Sequence, residues 1–179
     1  MVITPSGCSA DTVSAAGLVE MTLDGDLQGS SVPSTEWHMH AAIYRCDPLA
    51  GAIVHTHADA CTALACLNQD LPAFHYMVGS FGGDDVRCAT YVTFGTLELA
   101  TLAAEAIRGR SACLLANHGM IVHGADPVAA LQAAVLLETL CRQYLLARSA
   151  GTPRILTPAE MDGARERFKT YGGRGRDAG

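Results

Sequence analysis

The chain lacks any uninterrupted apolar run near the ~20 residues that a membrane-spanning helix requires. It also lacks a basic region followed by an apolar segment at its start, which opens on Met1-Val2-Ile3-Thr4-Pro5, so no signal peptide is read there. Charge is sparse, at 17% of residues, and the net balance of −6 argues against a basic patch for nucleic acid or anionic membrane. Seven cysteines form no Cys-x-x-Cys pair, and their odd number and scatter point to a reducing compartment with each thiol acting as a small buried apolar residue. A cytoplasmic protein is expected. No internal repeat and no interdomain linker interrupts the chain. Its 179 residues, 49% of them hydrophobic, suit a single domain with a well-buried core.

The most informative stretch that is present is Gly51-Ala52-Ile53-Val54-His55-Thr56-His57-Ala58. The β-branched Ile53 and Val54 lead into His-Thr-His, which reads as a strand end. Alternate strand residues share a face, so His55 and His57 project side by side, as two imidazoles offered to one ion. The pair alone reads either as two metal ligands or as two strand-end histidines, one capping a loop and one solvated. A true site needs further ligands from elsewhere in the chain.

Met1 to Thr4 reads as a strand tail and Leu18 to Leu23 as a strand turning at Asp24-Gly25-Asp26. Pro33-Ser34-Thr35 opens a helix with Ser34 as N-cap. On it Met39, Ala42, Ile43 and Cys46 form a buried stripe. Glu36 lies on that stripe in the first turn. It is either an inward carboxylate with a partner or a solvated complement to the helix dipole. The spacing predicts a short helix over Asp59–Leu67, and strands over Leu71–Val78 and Val86–Val92 around Gly82-Gly83. Thr96 caps a helix whose inner face is Leu99, Leu102, Ala103, Ala106 and Ile107, stopped by Gly109. A hairpin follows, Ala112–Ala116 and Met120–His123 around Asn117-His118-Gly119, which holds His118 at a strand end. Asp126-Pro127 starts the longest helix, to about Ser149, with a Glu138–Arg142 pair along it. A last helix runs from Pro158 to Phe168.

Seven segments, in this order, resemble the class II aldolase and adducin family, in the branch that contains L-fuculose-1-phosphate aldolase. They are Ile3-Thr4-Pro5-Ser6-Gly7, Pro33-Ser34-Thr35-Glu36-Trp37, Val54-His55-Thr56-His57, His75-Tyr76-Met77, Tyr91-Val92-Thr93-Phe94-Gly95-Thr96, Asn117-His118-Gly119 and Phe168-Lys169-Thr170-Tyr171-Gly172. The resemblance implies an α/β fold, three layers α-β-α around a central, mostly antiparallel or mixed sheet. It implies one domain over 1–179 that is N-terminally short, since family members start further upstream with a Gly-Asn loop that completes the phosphate pocket. It implies one Zn²⁺ per subunit on His55, His57 and His118, with Glu36 as general base and resting ligand. Substrate phosphate is then held by Ser6-Gly7 and Ser34-Thr35. Tyr76 matches the proton donor, and Tyr171 and Phe94 match walls of a site at a subunit interface in a homotetramer.

The implied chemistry is cleavage of a phosphorylated ketose, an aldehyde-lyase reaction through an enediolate. Three neutral histidines with one exchangeable position make an open zinc site, which polarises a carbonyl. Glu36 must act with a pKa lifted toward neutrality, as partial burial provides. Ser34 and Thr35 at the helix start favour a phosphate through N–H groups and dipole. The fold also hosts a sugar-phosphate 4-epimerase, a dehydratase and a non-catalytic adducin-like module. Glu36 in place of the aspartate of the epimerase type favours the aldolase, and the full set of histidines disfavours the adaptor. His38, His40, His75 and His123 read as packing or ordinary hydrogen-bonding residues.

Overall fold

The computed structural model describes residues 1–9 and 11–170, so the expectation for Tyr171 lies outside the described residues. Twelve regular elements run in the order β1 (Val2–Ile3), β2 (Val19–Met21), β3 (Leu27–Gln28), α1 (Trp37–Cys46), β4 (Ala52–Thr56), α2 (Asp59–Ala65), β5 (Cys88–Ala89), α3 (Leu97–Ile107), β6 (Ala112–Leu115), β7 (Gly119–Gly124), α4 (Pro127–Ala150) and α5 (Pro158–Thr170). The main sheet has the order β4-β7-β6-β5, and its β5–β6 pair is parallel while the others are antiparallel. Strands β1 to β3 form a separate antiparallel sheet around Ile3, Val19 and Met21.

Alternation along β6 and β7 sorts the core into two layers. Cys113, Leu115 and Ile121 face one way and pack with Met39 and Ile43 of α1 and Leu99, Ala103 and Ile107 of α3. Leu114, Met120 and Val122 face the other way, against Cys61 and Leu64 of α2 and Leu137, Leu140 and Cys141 of α4. Period-two alternation with helices on both faces gives the three-layer α-β-α arrangement. Each fully buried aliphatic side chain contributes about 1.5–3 kcal/mol by leaving water. The same alternation puts Ile53 on the α1 side and Val54 on the α4 side. His55, two residues beyond Ile53, is thereby aimed toward α1.

Caps were legible where the residue chemistry is local. Thr96 Oγ1 accepts from Leu99 N at 3.2 Å, and Asp126 Oδ1 accepts from Ala129 N at 2.8 Å. Three expectations are corrected. Leu71–Val78 is no strand: Leu71 makes an isolated bridge to Val86, and Tyr76–Phe81 is a 3-10 helix started by His75 Nδ1 accepting from Met77 N. Helix α1 begins at Trp37, so Glu36 and not Ser34 stands at the N-cap, because residues 4–6 pair with 32–34 and keep that stretch extended. Glu138 does not pair with Arg142; its two oxygens accept from Ala60 N (2.8 Å) and Cys61 N (2.9 Å). The thiols are also less uniformly buried than expected, with Cys46 and Cys66 exposed. Among the described residues no helix is long and apolar enough to cross a membrane.

Candidate metal centre

Three elements converge on one point. Strand β4 ends at Thr56 and delivers His55 and His57 from its α1-facing side. The turn between β6 and β7 delivers His118, with Asn117 in the left-handed region (φ 54°) bending the chain back. Gly119 permits the approach, because a Cβ there would lie 2.5 Å from Thr56 O and 3.1 Å from the His57 ring. The start of α1 delivers Glu36. The result is a group in which each of Glu36, His55, His57 and His118 offers one donor atom, all within 4.8 Å of one another.

The three rings stand edge-on to each other, with centroids 5.2 Å (His55–His57), 4.9 Å (His55–His118) and 4.8 Å (His57–His118) apart. Glu36 Oε2 is 2.7 Å from His55 Nε2, and Glu36 Oε1 is 3.4 Å from His118 Nε2. Glu36, His55 and His118 are nearly enclosed, whereas His57 is the exposed member.

The donor set fits a cation. His55 Nδ1 lies 2.8 Å from the Met120 carbonyl oxygen, which only accepts, so Nδ1 carries the ring proton. With its ring proton on Nδ1, His55 turns the Nε2 lone pair toward Glu36. Both His55 Nε2 and Glu36 Oε1 are buried without a hydrogen-bond partner. Two acceptors turned toward each other at 2.7 Å repel unless a cation or a proton lies between them. Three imidazoles and a carboxylate are the ligand types of a catalytic zinc site.

Charge follows from this crowding. Burial pushes the Glu36 carboxyl up, but where a proton stands between it and His118 or His55 the hydrogen bonds and charge of those rings outweigh burial and hold the group well below the usual carboxylate range. The expected lift toward neutrality is therefore not what the arrangement produces. Burial, with His55 and His118 beside it, pushes His57 down. His40, four residues after Glu36 on α1, is pushed down to about 4 by burial first and then by His55, so it is neutral. Neutral imidazoles keep their lone pairs available to a metal.

A cavity of about 400 Å³ opens over the cluster, lined by Ser34, Thr35, Glu36, His57, Asn117 and His118 on its polar side and by Tyr91, Val92 and Phe94 opposite. Ser34 Oγ accepts from Glu36 N at 3.3 Å. Gly95, with φ +73°, brings the Tyr91–Phe94 loop against Thr35. Of the expected residues, Ser34, Thr35 and Phe94 therefore line this cavity with the cluster. Ser6 and Gly7 do not, although the segment they end pairs with residues 32–34. Tyr76 does not either; it is exposed, stacked on His75 with centroids 4.6 Å apart and set against Phe168. Tyr91 and Asn117 were not expected as site residues. The signal for Asn117 was its place in the tight turn beside His118.

A family model described as Class II Aldolase and Adducin N-terminal domain matches residues 1–145. A 5-methylthioribulose-1-phosphate/5-deoxyribulose-1-phosphate aldolase of Rhodospirillum rubrum is 46% identical over 172 residues, 96% of this chain and 78% of the relative. An L-fuculose phosphate aldolase of Escherichia coli is 39% identical over 173 residues, 96% of this chain and 80% of that protein. Among solved structures, an L-fuculose 1-phosphate aldolase superposes with a TM-score of 0.90 at 40% identity, covering 94% of this chain and 80% of that one.

Proposed function

The chain belongs to the class II aldolase family, and on that footing we propose that it is a zinc-dependent aldolase for a ketose 1-phosphate of the L-fuculose 1-phosphate type. It is a lyase, and the products on this reading are dihydroxyacetone phosphate and an aldehyde. One observation carries the proposal: Glu36, His55, His57 and His118 bring four donor atoms within 4.8 Å, with unpartnered buried atoms on Glu36 and His55. These four residues hold one ion per subunit. When bound, zinc polarises the substrate carbonyl and stabilises negative charge developing beside it.

The chain's own groups do the rest. Glu36 removes and returns the proton on the carbon next to the carbonyl. Ser34 and Thr35, just before α1, hold the phosphate with its N–H groups, and Ser6 and Gly7 stand on the segment that pairs with residues 32–34, outside the lining of the cavity. Anionic handle and base thus sit on one helix start, which fixes their separation. Residues 1–179 form one domain, a reading supported by the two core layers sharing a single sheet.

A retro-aldol assay tests this. Cleavage of ketose 1-phosphates, none of the unphosphorylated ketoses, and loss of activity on chelation are expected. Full activity after chelation overturns the zinc reading, and no cleavage of any ketose 1-phosphate by zinc-loaded protein overturns the aldolase. The apolar wall of Tyr91, Val92 and Phe94, and the Rhodospirillum rubrum relative, favour a second substrate, 5-deoxyribulose 1-phosphate or its methylthio form. Relative cleavage rates of that sugar and L-fuculose 1-phosphate decide between them.

The functional unit on this reading is a homotetramer. Phe94 and Tyr91 are large exposed apolar groups at the cavity rim, placed to meet another copy of the chain. Light scattering is expected to give a tetramer mass, and a fully active monomer contradicts it.

A further inference from the structure

Helix α2 begins two residues after His57, yet its N-cap is Ala58, which has no side-chain acceptor. The first turn of any helix leaves N–H groups without intrahelical partners, and a capping side chain ordinarily bonds those at the second and third positions. In α2 those positions are Ala60 and Cys61. Both N–H groups are taken by the two oxygens of Glu138, from the middle of α4, 78 and 77 residues away in sequence. One carboxylate performs the cap that residue 58 cannot.

The consequence for the cluster lies in what this fixes. The extended chain of β4 must stop and α2 must start within Thr56-His57-Ala58. His57 is the exposed member of the cluster and, unlike His55, has no hydrogen bond from its ring to hold its orientation among those of the described residues. Its backbone is clamped on one side by Gly119, where Thr56 O and the His57 ring leave no room for a Cβ. On the other side the clamp is the Glu138 cap. We propose that Glu138 is a positioning residue for His57: by pinning the start of α2 to α4 it sets where His57 stands relative to His55 and His118. The inference rests on the metal-site reading given above.

The test is Zn²⁺ affinity of the full chain, measured by competition with a chromophoric chelator, together with the visible absorption of the Co²⁺-loaded protein. Glu138→Gln keeps the size of the side chain but turns one acceptor into a donor facing an N–H. It is expected to weaken Zn²⁺ binding by about 10–100-fold, the usual effect of removing a group that supports a metal ligand, and to shift the Co²⁺ spectrum. Met161→Ala, which opens a cavity under α5, is chosen to lower the melting temperature comparably. It is expected to leave both readouts unchanged, separating a positioning role from general loss of stability. Ala58→Asp added to Glu138→Gln supplies the cap locally and is expected to restore affinity; this variant also keeps the test decisive if Glu138→Gln alone folds poorly. Wild-type binding with unchanged affinity and spectrum in Glu138→Gln overturns the inference alone. Absence of Zn²⁺ binding by the unaltered protein overturns the metal reading and the inference with it.

Discussion

Glu36→Gln is expected to leave the protein folded and able to take up zinc while turnover falls by about 10²–10⁴-fold, the usual worth of a positioned acid–base group. The substitution keeps the length and an oxygen but removes the only negative charge in the cluster. The competing role, a carboxylate complementing the α1 dipole, predicts a different result: a loss of about 0.3–1 kcal/mol in stability with the rate intact. The structure already weakens that alternative. Glu36 stands at the N-cap but its side chain caps nothing, and it turns inward onto His55 and His118 instead of outward to water. A buried carboxylate without a capping bond is costly unless the neighbouring imidazoles, or an ion among them, compensate it. Steady-state kinetics with metal content measured on the same samples separates the two roles. Unchanged turnover at full metal content refutes the proposed base.

The elements that sequence reasoning found are those whose cause is local. Thr96, Asp126-Pro127 and Gly109 act through bonds within four residues, and the alternation of Cys113, Leu114, Leu115 and of Met120, Ile121, Val122 needs only the pleat of a strand. The same pleat put His55 and His57 on one face before any fold was known. What was illegible depends on contacts far along the chain. Residues 71–81 carry enough apolar alternation for a strand, yet Gly79 packs against Met161 of α5 and Gly82 lies close to the Gly109 carbonyl, and these contacts favour a 3-10 turn. An i,i+4 rule assigned Glu138 to Arg142, whereas two N–H groups of α2 offer it a better partnership than an exposed ion pair. The charge state of Glu36 was misjudged for the same reason. Burial could be guessed from the stripe of α1, but the two imidazoles that reverse its effect arrive from β4 and from the β6–β7 turn. Family resemblance bridged this gap for the cluster itself, by naming His118 as a third ligand that no local pattern joins to His55. It gave no role to Tyr91 or Asn117, although both stand in its motifs, because loop residues on a cavity rim have no periodicity to betray them.

His118→Ala carries the largest expected effect on metal content. Loss of a direct ligand should exceed the 10–100-fold that removal of a supporting group costs, so protein dialysed against trace zinc should retain little. Geometry makes the result interpretable. His118 sits in a turn whose shape is set by Asn117 in the left-handed region and by Gly119 against Thr56, so truncating the side chain between them removes a ligand without removing the cause of the turn. His123→Ala is the matched comparison, being a buried histidine of β7, the strand that begins just after His118. Its Nε2 lies 3.2 Å from the Arg110 carbonyl oxygen and 3.2 Å from Asp47 Oδ2, remote from the cluster in its bonding. That change should cost stability, since it takes this partner from the Arg110 carbonyl and from Asp47 Oδ2, and should leave zinc in place. Elemental analysis of both variants, with thermal melts alongside, reads the difference directly. Full zinc occupancy in His118→Ala sinks the assignment of this residue as a ligand, and equal zinc loss in the two variants shows that the metal follows the general integrity of β7 and not the imidazole at 118.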